Sequence, residues 1–280
     1  GVLFTAFAFA LGGYDVATGE LGHTTVGLGM DWMLLDLLAM ATFFIFIEKL
    51  IPKYPKQAIL RPEWKLDLGY FCINHLFIGV VLVVSNGFAP RVFDWAVNAQ
   101  LQAFVSESHI AVQLLLLIVC ADLIQYVIHR ALHEIPALWR IHAVHHSVEN
   151  MDWLAGSRIH LLETLVLRAL IMVPLYLLGP QRAALDAYVI FAALQTVFIH
   201  ANVAVPFGPL KYLLATPQFH HWHHSSDRPA IDTNYAVHLP VLDMLFGTFH
   251  LPARHWPEKY GTTKRLPRTF WDQLMYPFVR

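Results

Sequence analysis

The chain has 280 residues, of which 56% are hydrophobic and only 14% are charged. A typical soluble domain carries about 25% charged residues, so this composition excludes an ordinary soluble protein and indicates one embedded in a membrane. The formal net charge of -1 provides none of the basic surface that nucleic-acid binding requires. The two cysteines, Cys72 and Cys120, lie in separate apolar stretches and are expected to be buried free thiols.

Five apolar stretches are long enough to be helices in a bilayer, whose hydrocarbon core of roughly 30 Å needs about 20 helical residues. In chain order they are residues 32–51, 66–88, 110–128, 161–178 and 185–205. The last two are joined by a short turn at 179–182 and form either two full spans or a shallower re-entrant hairpin, because Glu163, Arg168 and Pro174 interrupt the first of them. Residues 2–11 follow no basic segment and are expected to belong to a further membrane helix rather than a signal peptide.

Basic residues in the connections predict the orientation of these spans. The connection 49–65 carries five lysine or arginine residues, whereas 14–31 carries none and 89–109 carries only Arg91. The positive-inside rule places the 49–65 connection in the cytoplasm, and alternation of the spans returns the chain there near His129 and after residue 206. The expected fold is an all-α integral membrane protein, one domain over residues 1–280, with about four to six membrane-embedded helices and a cytoplasmic histidine-rich helical cap.

Histidines are concentrated in two segments that this topology places on the same side of the membrane. The sequence IHRALHEIPALWRIHAVHHSVEN at 128–150 contains five histidines, QFHHWHHSSD at 218–227 contains four, and both include HxxHH. Histidines three and four residues apart project from one face of a helix. A single buried histidine is usually an ordinary core residue, but eight in three spaced groups have more ring nitrogens than their neighbours can partner. The pattern therefore predicts a metal centre with two ions.

Several kinds of metal protein fit histidine ligands, because imidazole binds iron, zinc, copper and nickel. A zinc metalloprotease would show HExxH, but His133-Glu134 is followed by no second histidine at that spacing. Two classes of function remain open on these grounds. One is an enzyme that activates O2 at the membrane surface, and the other is a membrane protein that transports or stores metal, for which Asp67, His75 and Asp122 would mark an ion path.

The segments that carry the histidines resemble the fatty acid hydroxylase superfamily, which includes sterol oxidases (the sterol desaturase type), lipid hydroxylases and alkylglycerol monooxygenase. Its HRxxH, HxxHH and HxxHH boxes are matched at 129–133, 142–146 and 220–224, within a catalytic region of about 122–250. SRIHLLE at 157–163, IHAN at 199–202 and NYAVHLPVLDMLFGTF at 234–249 match as well. Leu242 and Met244 stand where the family usually has an aromatic and a basic residue, and His238 is also unusual at its position.

The resemblance implies a non-haem di-iron monooxygenase-type enzyme that hydroxylates or desaturates a membrane lipid such as a fatty acyl, sterol or ether lipid, with O2 as co-substrate. It implies ten metal ligands, eight in the boxes and two outside them: His129, His133, His142, His145, His146, His160, His200, His220, His223 and His224. His221, inside the last box, is expected to face away. Ligating histidines usually donate their second N–H to a carboxylate or carbonyl, and the candidates for such supporting roles are Asp122, Tyr126, Glu163, Asn234, His238 and Asp243.

An enzyme of this kind needs electrons from outside, because the sequence has no GxGxxG fingerprint and no cysteine set for an iron–sulfur cluster. The expected donor is a cytochrome b type haem protein or a ferredoxin with its reductase. The terminal segment 251–280 is expected to cross the cap as a strap, and its basic residues 259, 264, 265 and 268 are either a dock for the donor or a face toward solvent or headgroups. Trp139, Trp153, Phe219 and Trp222 are expected at the membrane interface, as anchors or around a lipid entrance. The expected location is a bacterial inner membrane or the endoplasmic reticulum.

Overall fold

The computed structural model describes residues 30–253 and 255–279, without the side chains of 30–32 and 78–86. The expected helix at 2–11 lies outside these residues. Within the described part the regular structure is helical, with only isolated β-bridges at Pro52–Val203 and Ser225–Tyr260. The helices are α1 (Met30–Leu50), α2 (Trp64–Phe93), α3 (Ala99–Glu107), α4 (Ile110–Glu134), α5 (Pro136–His146), α6 (Leu161–Leu178), α7 (Arg182–His200), α8 (Pro217–His223), α9 (Val241–Phe246) and α10 (Phe270–Met275).

Three of these helices, α4, α6 and α7, are long and apolar enough to cross a membrane. The prediction of an all-α membrane protein is thereby confirmed. Helices α1 and α2, of 21 and 30 residues, occupy the positions of the first two predicted stretches. The last stretch was predicted to run to residue 205, but α7 ends at His200 because Ala201 adopts an extended conformation. That ending matters for the site, since it leaves His200 at the tip of a helix.

The long helices pack around α4. Helix α4 lies against both α6 and α7, and α2 runs along α6, whereas α6 and α7 make few contacts with one another. Small residues allow the close approach of these helices: the shared core includes Ala121 of α4 with Ala184 and Ala192 of α7. The turn between α6 and α7 requires Gly179, whose φ is 57° and where a Cβ would lie 2.7 Å from the Gln102 side chain.

The remaining helices and loops form a layer, called here the cap, at the end of the bundle where α4 and α7 end and α6 begins. Its core contains two aromatic residues that the sequence suggested for the membrane interface. Trp153 packs with Phe44 and Leu154, and Phe219 packs with Ile199, all of them buried. Trp153 and Phe219 are therefore core residues of the cap rather than interfacial anchors, and that expectation was wrong for both.

A buried ion-pair network joins the start of α2 to the cap. Arg61 binds both carboxylate oxygens of Asp152 at 2.7 and 2.8 Å and Asp67 at 2.7 Å, and Arg158 binds Asp67 at 2.5 Å. All four side chains are at most 5% exposed. Removing one member of such a network leaves a buried charge without its counter-ion, which is strongly destabilising. The network therefore fixes the loop around Arg158 against the membrane helices.

The terminal segment crosses the cap as predicted for a strap. The Tyr54 hydroxyl lies 2.9 Å from the Pro257 carbonyl oxygen and 3.1 Å from the Tyr260 hydroxyl. The Ser226 N–H donates to the Lys259 carbonyl at 3.1 Å. The strap thus touches both the 49–65 connection and the loop after α8.

Candidate metal centre

Four helix ends deliver histidines to one place in the cap. His129 and His133 lie one turn apart at the end of α4, and the HxxHH box at 142–146 ends α5. His200 is the last residue of α7, and the second HxxHH box spans α8 and its C-cap. The spacings of three and four residues keep the rings of each box on neighbouring positions of a helix surface.

Five of these rings converge into what we call the five-histidine group: their ligand nitrogens all lie within 4.8 Å of one another. The Nε2 atom of His142 is 3.0 Å from that of His129 and 3.1 Å from that of His146. The Nε2 atoms of His133 and His146 are also 3.1 Å apart. The members are His129, His133, His142, His146 and His223.

Four further rings form the four-histidine group beside it, within the same limit of 4.8 Å. The Nε2 atom of His200 lies 3.2 Å from that of His145 and 3.0 Å from that of His220, and His220 and His224 are likewise 3.0 Å apart. Each HxxHH box is shared between the two groups. The rings of His146 and His224, one from each group, stack with centroids 4.4 Å apart, so the groups are direct neighbours.

The donor set fits metal ions. Burial first, and neighbouring imidazoles second, hold the pKa values of His142, His145 and His146 well below the ordinary histidine value, and the same causes act on the three box histidines of α8. Such rings are neutral at pH 7, and metal ions bind the neutral form. Facing Nε2 atoms at 3.0–3.2 Å are better explained by a shared cation than by hydrogen bonds among rings. The two groups therefore provide two separate ligand sets.

Oxygen atoms behind the rings fix their orientation. The Nδ1 atom of His129 is 2.6 Å from the Tyr235 carbonyl, and that of His223 is 2.8 Å from the Thr233 carbonyl. His142 pairs with the buried Glu163 carboxylate at 2.9 Å. In each case an N–H at Nδ1 leaves the Nε2 lone pair for the metal, the arrangement usual for ligating histidines.

The same arrangement recurs for three other rings. The Nδ1 atom of His145 lies 3.0 Å from the Arg158 carbonyl, so the buried ion-pair network positions a ligand directly. His200 pairs with the Thr196 carbonyl at 2.7 Å and His133 with the exposed Asp232 at 3.3 Å. The sequence interpretation missed Arg158, Thr196 and Asp232. A carbonyl partner leaves no mark in a sequence, although the serine–arginine pair at 157–158 belongs to a matched family segment.

Four of the predicted supporting residues act, three directly and one indirectly, on the loop that carries Thr233 and Tyr235 rather than on the rings. Asp122 accepts hydrogen bonds from the N–H groups of residues 237, 238 and 239 at 2.6–3.1 Å. Asp243 accepts from the N–H groups of Tyr235 and residue 236. Asn234, with a φ of 59°, donates to the carbonyls of residues 219 and 250. Tyr126 contributes through Thr248, which in turn bonds Asp243.

Three histidines named from the sequence lie outside both groups. His160 caps α6, since its Nδ1 accepts the Leu162 N–H, and its Nε2 lies 3.0 Å from the Leu274 carbonyl. The choice of His160 as a ligand therefore has no support in the geometry, because both its nitrogens are engaged elsewhere. His221 faces away from the groups and braces the carbonyl of His200 at 3.2 Å. His238 is buried far down the loop and approaches neither group.

Gly156 makes room for the tip of α7. A Cβ at this position would lie 2.9 Å from His200 Nδ1 and 3.1 Å from its Cγ. Any side chain here would push against the ring, so a glycine is required by close approach rather than by its own backbone angles.

With this geometry established, the chain was compared with known proteins. The family model described as fatty acid hydroxylase matches residues 114–248, a range that contains all nine histidines of the two groups. Ornithine lipid hydroxylase OlsE of Rhizobium tropici is 40% identical over 256 residues, which cover 89% of this chain and 76% of that protein. The chain belongs to the fatty acid hydroxylase family.

Other members of the family resemble the chain over smaller shares of their length. Alkylglycerol monooxygenase of Danio rerio is 34% identical over 253 residues, 84% of this chain and 56% of that protein. Methylsterol monooxygenase 1 of Rattus norvegicus is 26% identical over 212 residues, 74% of this chain and 69% of that protein. No solved structure matches the chain. The named relatives are thus hydroxylases and monooxygenases of lipids and sterols, which places the chain among oxygenase enzymes.

Proposed function

We propose that this protein is a di-iron, O2-dependent hydroxylase of a membrane lipid. The observation that carries the proposal is the pair of neutral histidine groups at the ends of apolar helices in a fatty acid hydroxylase chain. Two bound iron ions would supply the activation of O2 for insertion into an unactivated C–H bond. Desaturation uses the same ligand types, and the names of the relatives favour hydroxylation.

The protein's own residues have three tasks in this reaction. The five-histidine and four-histidine groups would each hold one ion, with Glu163, Asp232 and the backbone carbonyls fixing the rings. The cap and strap exclude water from the groups, whose members are nearly all buried. The bundle below presents the lipid to them from the bilayer, because α4 and α7 lead directly from the apolar region to the ligands.

The cap is proposed to face the cytoplasm, in a bacterial inner membrane or the endoplasmic reticulum. The 49–65 connection touches the cap: the Lys53 N–H donates to the Asn202 carbonyl at 3.2 Å, and Gln57 donates to the Met151 carbonyl at 2.8 Å. Gln102, from the connection with few basic residues, instead binds the Tyr176 carbonyl near the α6–α7 turn. The basic connection and the histidines are thus at one end of the bundle, which the positive-inside rule assigns to the cytoplasm.

Cysteine-accessibility labelling tests this orientation. We expect single cysteines at Lys53 and Arg228 to react from the cytoplasmic side and one at Arg91 to react only from the other side. Labelling of positions 53 and 228 from opposite faces would contradict a single cytoplasmic cap.

The substrate is proposed to be a polar membrane lipid, with ornithine lipid as the first to assay because of the relative in Rhizobium tropici. An alkylglycerol and a methylsterol are the next candidates. Electrons are proposed to come from a cytochrome b type haem protein or a ferredoxin with its reductase. In the strap, Arg265 and Arg268 lie within 3.8 Å of Glu149 or Glu63. These ion pairs reduce the positive charge that the two arginines would offer to an acidic electron donor.

The rival function, metal transport or storage, has less support. Asp67, one of the residues that would mark an ion path, is held by Arg61 and Arg158. Asp122, another, is occupied by three backbone N–H groups.

The decisive experiment measures metal and turnover on the same purified full-length chain. We expect two tightly held iron ions per chain and, with an added reductase system, incorporation of one labelled oxygen atom from O2 into ornithine lipid or one of the other two lipids. The matched control is His145→Ala, which should lose both metal and product. Freely exchangeable metal with no oxygenated lipid would favour transport or storage instead.

A further inference from the structure

An arginine and a histidine on the membrane side of the metal centre have no hydrogen-bond partner for their side chains among the described residues. Arg168 lies seven residues beyond the start of α6, or roughly 10 Å below the cap at the helical rise. The backbone of His238 is bound by Asp122, which precedes His129 by seven residues on α4 and so lies at a similar depth. The His238 ring contacts α7, and α6 and α7 make few contacts with one another.

His238 is buried, and neither of its ring nitrogens has a partner among the described residues. The residue is 1% exposed, and its ring packs against Phe191 at 5.1 Å and Tyr188 at 6.4 Å between centroids. Burial first, and the nearby Arg168 guanidinium second, lower the pKa of His238 to about 4, so the ring is neutral at pH 7 and keeps one N–H donor. Buried polar groups are nearly always partnered, which indicates that His238 meets a polar group from outside the described residues.

Arg168 is charged within a helix that is apolar enough to cross the membrane. Its neighbours on the same helix face, Thr164, Ile171 and Leu175, are buried, whereas Arg168 is exposed and has no ion pair or hydrogen bond among the described residues. A charge at such a position is costly and usually marks the path or site of a ligand.

We propose that Arg168 and His238 bind an anionic oxygen group, a carboxylate or a phosphate, of the lipid on which the protein acts. The planar guanidinium pairs with either anion through two parallel N–H donors, and the neutral imidazole adds a third donor. The inference rests on the proposed function, because the lipid held here is the one presented to the histidine groups above. It adds a substrate class, since a lipid with neither a carboxylate nor a phosphate would lack the group that Arg168 and His238 recognise.

Binding without turnover tests this inference separately from the proposed function. The metal-loaded full-length chain, in uncharged detergent and without reductant, is titrated with N-palmitoylornithine and with its methyl ester, which differ only in the carboxylate charge. Phosphatidic acid provides the phosphate arm, and inorganic phosphate provides the free ion. We expect the wild type to bind N-palmitoylornithine or phosphatidic acid at least about tenfold more tightly than the ester, the size of a charged hydrogen-bonded pair.

Substitutions test which side chains produce the preference over the ester. Arg168→Gln should abolish it, His238→Phe should reduce it about threefold or more, and Arg168→Lys should keep part of it. Arg182→Gln is the matched control, because Arg182 is an exposed arginine at the start of α7 that is already paired with Asp186 at 2.6 Å. Metal content and melting temperature are measured for each variant. If Arg168→Gln fails to fold, the inference is tested by whether Arg168→Lys and His238→Phe reduce the preference for the acid over the ester.

Several outcomes would overturn the inference: no difference between acid and ester in the wild type, binding of neither lipid, the same loss in Arg182→Gln, an unchanged preference in Arg168→Gln, or equal competition by inorganic phosphate. A preference that depends on Arg168 without any lipid oxygenation would leave the anion subsite standing and remove the proposed reaction. Oxygenation of a lipid without any preference that depends on Arg168 would remove the anion subsite and leave the proposed reaction standing.

Discussion

The two histidine groups are built from the same boxes but are supported differently. In the five-histidine group, the Nδ1 atoms of His129, His133, His142 and His223 all have oxygen partners, two of which are carboxylates. In the four-histidine group, His145 and His200 have carbonyl partners, and the buried Nδ1 atoms of His220 and His224 have none among the described residues.

The two groups should therefore bind metal with different affinities. A partner at Nδ1 fixes the ring and raises the basicity of the ligand, and losing such a partner typically costs about 10–100-fold in metal affinity. The five-histidine group therefore has both one more ligand and better oriented ligands. The four-histidine group has more open positions and two rings that are held by packing alone.

The largest expected effect comes from shortening the weaker group. His200→Ala leaves three ligands there, and we expect iron to fall from two ions to one per chain and lipid oxygenation to fall below detection. Metal analysis of the purified variant is the measurement. His160→Ala is the matched control, because that histidine also stands beside the end of a membrane helix but both its ring nitrogens are engaged outside the two groups. Loss of an ion from the His160 variant with both ions retained in His200→Ala would reverse our assignment.

The second expected effect is the order of metal loss. Under a chelator, one ion should leave at least about tenfold faster than the other, and the fast phase should come from the four-histidine group. Stopped-flow chelation of the wild type gives the two phases, and His223→Ala identifies them because it weakens only the slow one. A single phase for both ions would show that the two groups are equivalent after all.

Sequence reasoning identified the histidines that converge better than the groups that support them, for a physical reason. Box histidines repeat at helical spacing, and His200 could be placed by the end of an apolar stretch, so side-chain identity and period carried the information. His160 passed the same two tests, but an imidazole at a helix start can also cap the helix, and the sequence does not separate the two. The carbonyl partners at residues 158, 196 and 233 depend on how loops fold back, which no local pattern encodes.

The assignment of individual histidines to the two groups was equally out of reach. A box of spacing HxxHH shares its rings between the two groups only because α5 and α8 approach each other, which brings His146 and His224 into stacking contact. The Arg61–Asp152 pair shows the same limit: Arg61 was counted as one of the basic residues of a connection, yet it is 1% exposed. A basic residue that the sequence suggests is at the surface is thus buried by partners that are distant in the chain.

A third prediction concerns Glu163, the buried carboxyl partner of His142 in the five-histidine group. Glu163→Gln keeps the shape but replaces the carboxyl group whose oxygen lies 2.9 Å from His142 Nδ1. We expect metal affinity at this group to fall about 10–100-fold, with the four-histidine group unchanged, as measured by metal titration of the apo chain. Glu134→Gln is the control, since Glu134 is a carboxylate on α4 that pairs with Arg130 at the surface. Equal effects of the two variants would mean that the carboxyl group of Glu163 does not determine metal affinity.

The smallest effect is expected from Asp232, the other carboxylate of the same group. Its oxygen lies 3.3 Å from His133 Nδ1, and its side chain is 51% exposed, so water can replace it and salt screens it. Asp232 has a φ of 59°, a conformation that asparagine also tolerates. Asp232→Asn should therefore lower metal affinity by only about two- to threefold, near the low end for exposed pairs. The effect should shrink further at high salt, whereas that of Glu163→Gln should not. A loss from Asp232→Asn as large as that from Glu163→Gln would show that burial of the supporting carboxylate does not determine its contribution.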